Sequence, residues 1–222
     1  MSPDAREDNK EDLILDILIH DINNANTIAL GYGTILESKL KGEELMFLEN
    51  LVNGARQSMN LIKNAQAIRR VQKTPVQLVK MNLGTAMKRA GTGLPGRPIE
   101  VSDFACDVYA DEFLDEIFRV LLENVEKYTG KDAKVRISAK DLGSTCEVSV
   151  EDEGPGISDA LKEGVFNRLI RDAPKKSRKG LGLVLAKLIV DRYGGTIRAE
   201  DRVPGKQDQG AALRFTLRKY QG

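Results

Sequence analysis

The chain holds one histidine, His20, followed at once by Asp21 and four residues later by Asn24. An imidazole nitrogen is a usable nucleophile near neutral pH. A carboxylate that holds one ring nitrogen leaves the other free to react. Asn24 falls one helical turn beyond His20, on the same face. A lone histidine on a helix is ordinarily a plain surface residue. Here the amide-rich run Asn23, Asn24, Asn26 and Thr27 is poor helix-forming composition inside a helical pattern, which points to a use beyond propensity.

Polar residues at inward positions mark a second chemistry. In Cys146-Glu-Val-Ser-Val-Glu-Asp152, strand alternation puts Asp152 on the face of Cys146, Val148 and Val150. A carboxylate on a core face needs a donor, and the exocyclic amino group of a purine is one. Gly154 and Gly156 follow, and glycine lets a ligand come close to the backbone; the plain alternative is an Asp-Gly turn. Asn124 falls about 20° from Ile117 around its helix, on the apolar side. Such an amide is either a bonded core residue or an oxygen ligand for a hard cation such as Mg²⁺. In Arg171-Asp-Ala-Pro-Lys-Lys-Ser-Arg-Lys-Gly180-Leu181-Gly182, a basic segment runs into two glycines and a helix start. That combination suits a triphosphate, with the basic segment as a lid; a solvated loop is the alternative.

Two long helices must present His20. The first spans about Asp8 to Glu37, with a seam of Leu15, Leu18, Ile22, Ala25, Ala29, Tyr32 and Leu36. The second spans about Glu43 to Gln72, with a seam of Leu45, Leu48, Val52, Ala55, Met59, Ile62 and Gln66. A short connection makes them an antiparallel hairpin, and two helices bury too little alone. The hairpin is therefore expected to pair with a second copy as a four-helix bundle. Thr74-Pro75 ends the second helix and divides the chain into domains 1–74 and 75–222. Beyond it the pattern is mixed α/β. Helices are expected at Asn82–Arg89, at Asp111–Lys127 with Asp111 as N-cap, within 158–179, and at Leu181–Arg192. The strands are Ile99–Val101, Cys106–Val108, Ala133–Lys140, Thr145–Glu151, Thr196–Glu200 and Ala211–Leu217.

Composition excludes some classes. The net charge of +1 gives no reason to expect direct nucleic-acid binding. Cys106 and Cys146 lie far apart without a CxxC motif, which reads as separate buried thiols in a reducing, cytoplasmic setting. The apolar run near the start is broken by Asp16 and His20-Asp21, so it does not span a bilayer. The chain is compatible with the cytoplasmic part of a longer membrane sensor.

Taken in order, these blocks resemble the core of a sensor histidine kinase. His20-Asp-Ile-Asn-Asn24 is similar to the family's histidine box, and Leu122-Glu-Asn124-Val-Glu-Lys127-Tyr128 to its asparagine box. Asp152-Glu-Gly154-Pro-Gly156 and Gly180-Leu-Gly182-Leu183 are similar to its glycine boxes, and Val165-Phe166 to its phenylalanine box. The resemblance implies a GHKL-type ATP-binding domain, a mixed sheet layered on helices. It implies Mg²⁺ on Asn124 and adenine on Asp152. Lys127, Tyr128 and Arg171 would contact nucleotide, and Gly180, Leu181 and Gly182 would lie under the phosphates. It further implies ATP-dependent phosphorylation of His20, transfer to an aspartate of a response-regulator receiver domain, and dephosphorylation of that partner with Asn24 orienting water. Val120 stands where the family often has asparagine, and Arg178 where it usually has glycine. Those departures leave open a non-catalytic, ATP-binding dimeric scaffold. Val120 also lacks the carboxylate by which other GHKL-type ATPases activate water.

Overall fold

A computed structural model of the chain describes residues 3–167 and 181–221. The chain forms two compact units, residues 1–66 and 67–222.

The first unit holds α1 (Pro3–Glu37) and most of α2 (Gly42–Lys73). In the turn between them, the amides of Lys39 and Leu40 both donate to the Leu36 carbonyl, at 2.8 and 3.0 Å. On α2, Leu48 and Ala55 are buried and Leu45, Val52, Met59 and Ile62 half-buried, as their spacing predicts, whereas Gln66 is exposed and Asn64 buried. On α1 the expected seam is corrected. Leu15, Leu18, Ile22, Ala25, Tyr32 and Leu36 are exposed, Ala29 is half-buried, and the rest of the covered stripe is Ile19, Asn23, Asn26, Leu30 and Gly33. A single helix pair shields only the strip along its contact line. Here that strip includes small and polar groups: Asn26 Nδ2 donates to Ser58 Oγ at 2.9 Å, and Gly33 lies so near Val52 that a Cβ there would overlap it. The larger apolar stripe is left facing outward.

The second unit is built on a mixed five-stranded sheet. Its strands are β2 (Ile99–Val101), β4 (Val135–Asp141), β5 (Thr145–Asp152), β6 (Ile197–Val203) and β7 (Lys206–Arg218), in the order β2-β4-β5-β7-β6. Only the β2–β4 pair is parallel. A two-stranded antiparallel sheet joins β1 (Val79–Asn82) to β3 (Asp107–Ala110), and β1 was not anticipated. Its residues are mostly exposed, so it shows no alternation of the kind that marks a half-buried strand. The helices are α3 (Leu83–Ala90), α4 (Leu114–Tyr128), α5 (Asp159–Lys162) and α6 (Gly182–Arg192).

Alternation along β5 explains the layering. Cys146, Val148 and Val150 join Ile117, Phe118, Leu121, Leu185, Ile189 and Phe215 in one apolar core, with Phe118 and Phe215 edge-on at 5.7 Å. Val165 and Phe166 are buried in the same core. The other face of β5 carries Glu147 and Glu151, held by Lys140 and Arg198 (2.8 and 2.7 Å) and by Arg214 (3.2 Å). A lattice of opposite charges makes that face stable in water without a second layer.

Two expectations are overturned in this unit. Asp111 is not the N-cap of α4; Phe113 holds that position without a side-chain bond, and Asp111 Oδ1 accepts from the Phe113 amide at 3.0 Å. Both Asp111 oxygens are engaged elsewhere, as described below. Cys106 and Cys146, expected as separate thiols, are brought side by side, with their Cα atoms 7.6 Å apart. Val108 in β3 bridges to Lys219 just beyond β7, which brings the start of β3 to the end of the sheet where β5 begins. That crossing brings the two cysteines together. Among the described residues, no helix is long and apolar enough to cross a membrane.

Candidate functional site

His20 stands on α1 with its side chain 73% exposed. Its flanking residues Leu18 and Ile22 are exposed too, and Ile19 alone turns inward. Asp21 Oδ1 lies 3.1 Å from Nδ1, and in the tautomer protonated there the lone pair is on Nε2. Asn24 Nδ2 lies 3.3 Å from Nδ1 and 3.4 Å from Nε2, so the amide sits against the ring without monopolising either nitrogen. The three side chains form one accessible cluster. Thr27 accounts for the other polar side of this stretch by donating to the Asn23 carbonyl at 2.8 Å.

The second unit gathers the inward polar groups. Asp152, at the end of β5, is buried, and its Oδ1 accepts from the amides of Gly154 at 2.8 Å and Ala211 at 3.5 Å. Burial raises its pKa from the ordinary carboxylate value; the Gly154 and Ala211 amides and the charges of Arg202 and Arg97 oppose the rise. Both amides bind one oxygen, which suits the other to an outside donor. Asn124, on α4, has a buried Nδ2 with no hydrogen-bond partner. An unpaired buried amide is costly, and its head can turn an oxygen to a hard cation. Among the described residues no cluster of three or more His, Cys, Asp or Glu side chains offers an alternative metal site. The oxygen of the Asn124 amide is of the donor type a hard cation such as Mg²⁺ takes.

Lys127 and Tyr128 close α4, both exposed, with Nζ of Lys127 5.0 Å from the Tyr128 ring. Leu181 caps α6 with no side-chain bond, and Gly182 is the helix's first residue, so its N-terminal amides carry no side-chain partner from the cap. Arg171 and Gly180 lie outside the described residues, as does the expected lid. Gly154 and Gly156 serve the fold first. A Cβ on Gly156 (φ 73°) would run into the Gln207 carbonyl, and one on Gly154 into Thr129. These glycines let the β6–β7 hairpin and the end of α4 close around Asp152.

Sequence reasoning missed Arg97. Its guanidinium donates to Thr129 Oγ1 at 2.8 Å and to the Gly130 and Lys131 carbonyls, and so holds the end of the helix that carries Asn124. No local pattern separates it from other loop arginines; only the fold brings residue 97 to residue 129.

Comparison with known proteins follows this geometry. A family model described as histidine kinase-, DNA gyrase B-, and HSP90-like ATPase matches residues 110–221, half of the chain. The chain is 29% identical over 218 residues to the sensor protein KdpD of Escherichia coli (strain K12), covering 92% of this chain and 24% of KdpD. It is 38% identical over 100 residues to the signal transduction histidine-protein kinase/phosphatase MprB of Mycobacterium ulcerans, covering 44% of this chain and 20% of MprB. The chain thus spans a quarter or less of the length of these relatives. Among solved structures, it is similar to a mycobacterial sensor histidine kinase MprB (TM-score 0.55, 22% identity, 66% of this chain and 100% of that one). It is also similar to full-length ShkA in complex with AMPPNP (TM-score 0.61, 20% identity, 94% of this chain and 46% of that one). At these identities the structural likeness concerns the fold. Because the family model spans half of the chain, the chain belongs to the histidine kinase-, DNA gyrase B- and HSP90-like ATPase family, and the named relatives are sensor histidine kinases.

Proposed function

We propose that the chain is the kinase core of a two-component sensor, phosphorylating its own His20 from ATP and passing the phosphoryl group to an aspartate of a response-regulator receiver domain. The observation that carries this is the largely exposed imidazole of His20, with Asp21 engaged at Nδ1 and only the Asn24 amide beside Nε2. In the reaction, Nε2 attacks the γ-phosphorus in line, and the bond from phosphorus to the ADP oxygen breaks. Asp21 steadies the positive charge that develops on the ring and accepts its Nδ1 proton. Phosphoryl transfer depends chiefly on positioning and charge neutralisation. Asp152 accepts from the adenine amino group, Lys127 and Tyr128 border the nucleotide, and the amides opening α6 at Leu181 and Gly182 face the phosphates. Arg171 and Gly180 complete that set. Mg²⁺, bound through Asn124, supplies the remaining charge neutralisation when present. Because its substrate is ATP, the core is assigned to the cytoplasm, within a longer membrane-tethered sensor. The test is labelled ATP on purified protein: the expected product is an acid-labile, base-stable phosphate, and its absence overturns the reading.

Asn24 is assigned to the reverse duty, orienting water for attack on the phosphorylated receiver domain. Asn24→Ala is expected to leave autophosphorylation within about twofold and lower phosphatase activity on the order of tenfold or more. Equal rates in both assays would remove that role.

The hairpin is assigned as a homodimerisation element. Leu15, Leu18, Ile22, Tyr32 and Leu36 form an outward stripe that a second copy would cover as a four-helix bundle. Light scattering is expected to give the mass of two chains; a mass of one chain at micromolar concentration contradicts the bundle.

A further inference from the structure

The last residue of α6 is spent on the segment that leaves α2. Arg192 has a side chain only 7% exposed, and its Nε donates to Asp111 Oδ2 at 2.8 Å. Its Nη1 donates to the carbonyls of Val71 (3.1 Å) and Thr74 (2.8 Å), and its Nη2 to that of Pro75 (2.8 Å). The last carbonyls of a helix lack partners and carry partial negative charge, so a guanidinium suits this place. The acid is fixed in turn: Asp111 Oδ1 accepts from the fully buried Tyr193 hydroxyl at 2.5 Å. The guanidiniums of Arg192 and Arg70 lie 5.4 and 5.2 Å from the Phe113 ring centre, and Ala67 and Val71 are buried in the core of the second unit.

The clamp sits at one end of the two packed helices whose other ends bear the nucleotide residues. Helix α4 runs from Leu114, beside the clamp, to Asn124, Lys127 and Tyr128; α6 runs from Gly182 to Arg192. At about 1.5 Å per residue the two ends are separated by roughly 15–20 Å of rigid helix. The junction Thr74-Pro75, which from sequence alone divides the chain into two domains, is therefore bolted to the nucleotide unit.

We propose that Arg192 is a positioning residue for autophosphorylation: through Asp111 it makes residues 67–75 move as one piece with the nucleotide cradle, so that the pivot lies ahead of Ala67 within α2. This rests on the kinase reading above. A merely capping arginine would affect stability alone. A positioning arginine affects the frequency of productive encounters between nucleotide and His20, with nucleotide affinity untouched.

The experiment uses the full chain and two variants. Arg192→Gln breaks the clamp. Arg192→Met with Asp111→Asn breaks it without leaving a buried acid unpaired, and Tyr193 and the Phe113 amide still find an acceptor at residue 111. Amide hydrogen exchange is followed over residues 67–76 with and without ADP, together with ADP affinity and the autophosphorylation rate. In the wild type, amides at 68–74 are expected to exchange as slowly as those of α4. In the folded variants they exchange at least tenfold faster, ADP affinity changes less than about twofold, and the kcat of autophosphorylation falls on the order of tenfold or more at unchanged KM for ATP. Wild-type exchange at 68–74 as fast as in exposed loops overturns the proposal, and so does an unchanged or increased kcat in the variants. Absence of phosphohistidine in the wild type would instead fell the kinase reading, and the exchange measurement would still decide the clamp.

Discussion

His20→Gln is expected to bring incorporation of labelled phosphate down to background, at least on the order of a thousandfold, with melting temperature and ADP affinity unchanged. The side chain is largely exposed, and surface substitutions of this kind usually shift stability by about 0.5 kcal/mol or less. Glutamine keeps the polar reach needed to satisfy Asp21 and Asn24 but has no nitrogen lone pair able to attack phosphorus. The variant therefore separates nucleophile from scaffold. A dimeric ATP-binding scaffold without kinase activity would bind ADP equally well before and after the substitution and show no phosphohistidine in either form. Label persisting in the variant would move the acceptor elsewhere. Loss of label together with lost ADP binding would mean that His20 serves the fold, which its exposure argues against.

The element order was legible wherever one physical signal was strong. The apolar spacing of α2 and the glycine pair after α6 fixed those helices, since Gly194 closes α6 with its amide on the Asp191 carbonyl at 2.9 Å. Asn82 caps α3 through its bond from the Thr85 amide at 2.8 Å, close to the expected helix start. Side-chain assignments failed where a residue answers to the tertiary fold. Asp111 has the composition of an N-cap, and only the approach of Arg192 and Tyr193, some eighty residues away in sequence, takes its oxygens. The seam of α1 lies elsewhere than the contact within one hairpin. Periodicity finds the most apolar stripe, and in a lone hairpin that stripe is not the one facing the partner helix; Asn26 and Gly33 are.

The site divides along the same line. His20, Asp21 and Asn24 lie within one helical turn, so residue spacing alone brought them together. Asp152 was found because a carboxylate broke the alternation of a strand whose other inward residues are Cys146, Val148 and Val150. What encloses Asp152 was illegible. The Ala211 amide and the charges of Arg97 and Arg202 come from three distant segments. Gly154 and Gly156 also answer to the fold, since Thr129 and the Gln207 carbonyl approach them closely.

Asp152→Asn is expected to weaken ADP binding on the order of a hundredfold while raising the melting temperature of the nucleotide-free protein by a few degrees. The two effects have one cause. Burial holds the pKa of Asp152 above its ordinary value, with only two backbone amides and distant arginines in opposition. A carboxyl whose pKa is raised on folding gives the folded state the larger share of protons. Its contribution is therefore favourable at low pH and is lost as pH rises from the ordinary carboxylate range through the raised value. Above that raised value the ionised, desolvated group is a net cost, which asparagine removes while its own oxygen still accepts from the Gly154 amide. The ligand loses by the same change. With its oxygen turned to Gly154 and Ala211, the amide of asparagine presents its NH₂ to the adenine NH₂, donor against donor, in place of a charge-assisted bond of about 1.5–3 kcal/mol. That range corresponds to roughly ten- to over a hundredfold in affinity. In the wild type ADP affinity should rise with pH through the Asp152 titration, because the ionised oxygen is the better acceptor; in the variant that dependence should vanish. Calorimetric titration with ADP and thermal unfolding across a pH series measure both arms. An asparagine variant that binds ADP within threefold of wild type would remove Asp152 from adenine recognition, and one that melts lower at neutral pH would show that its charge is stabilised by groups other than these.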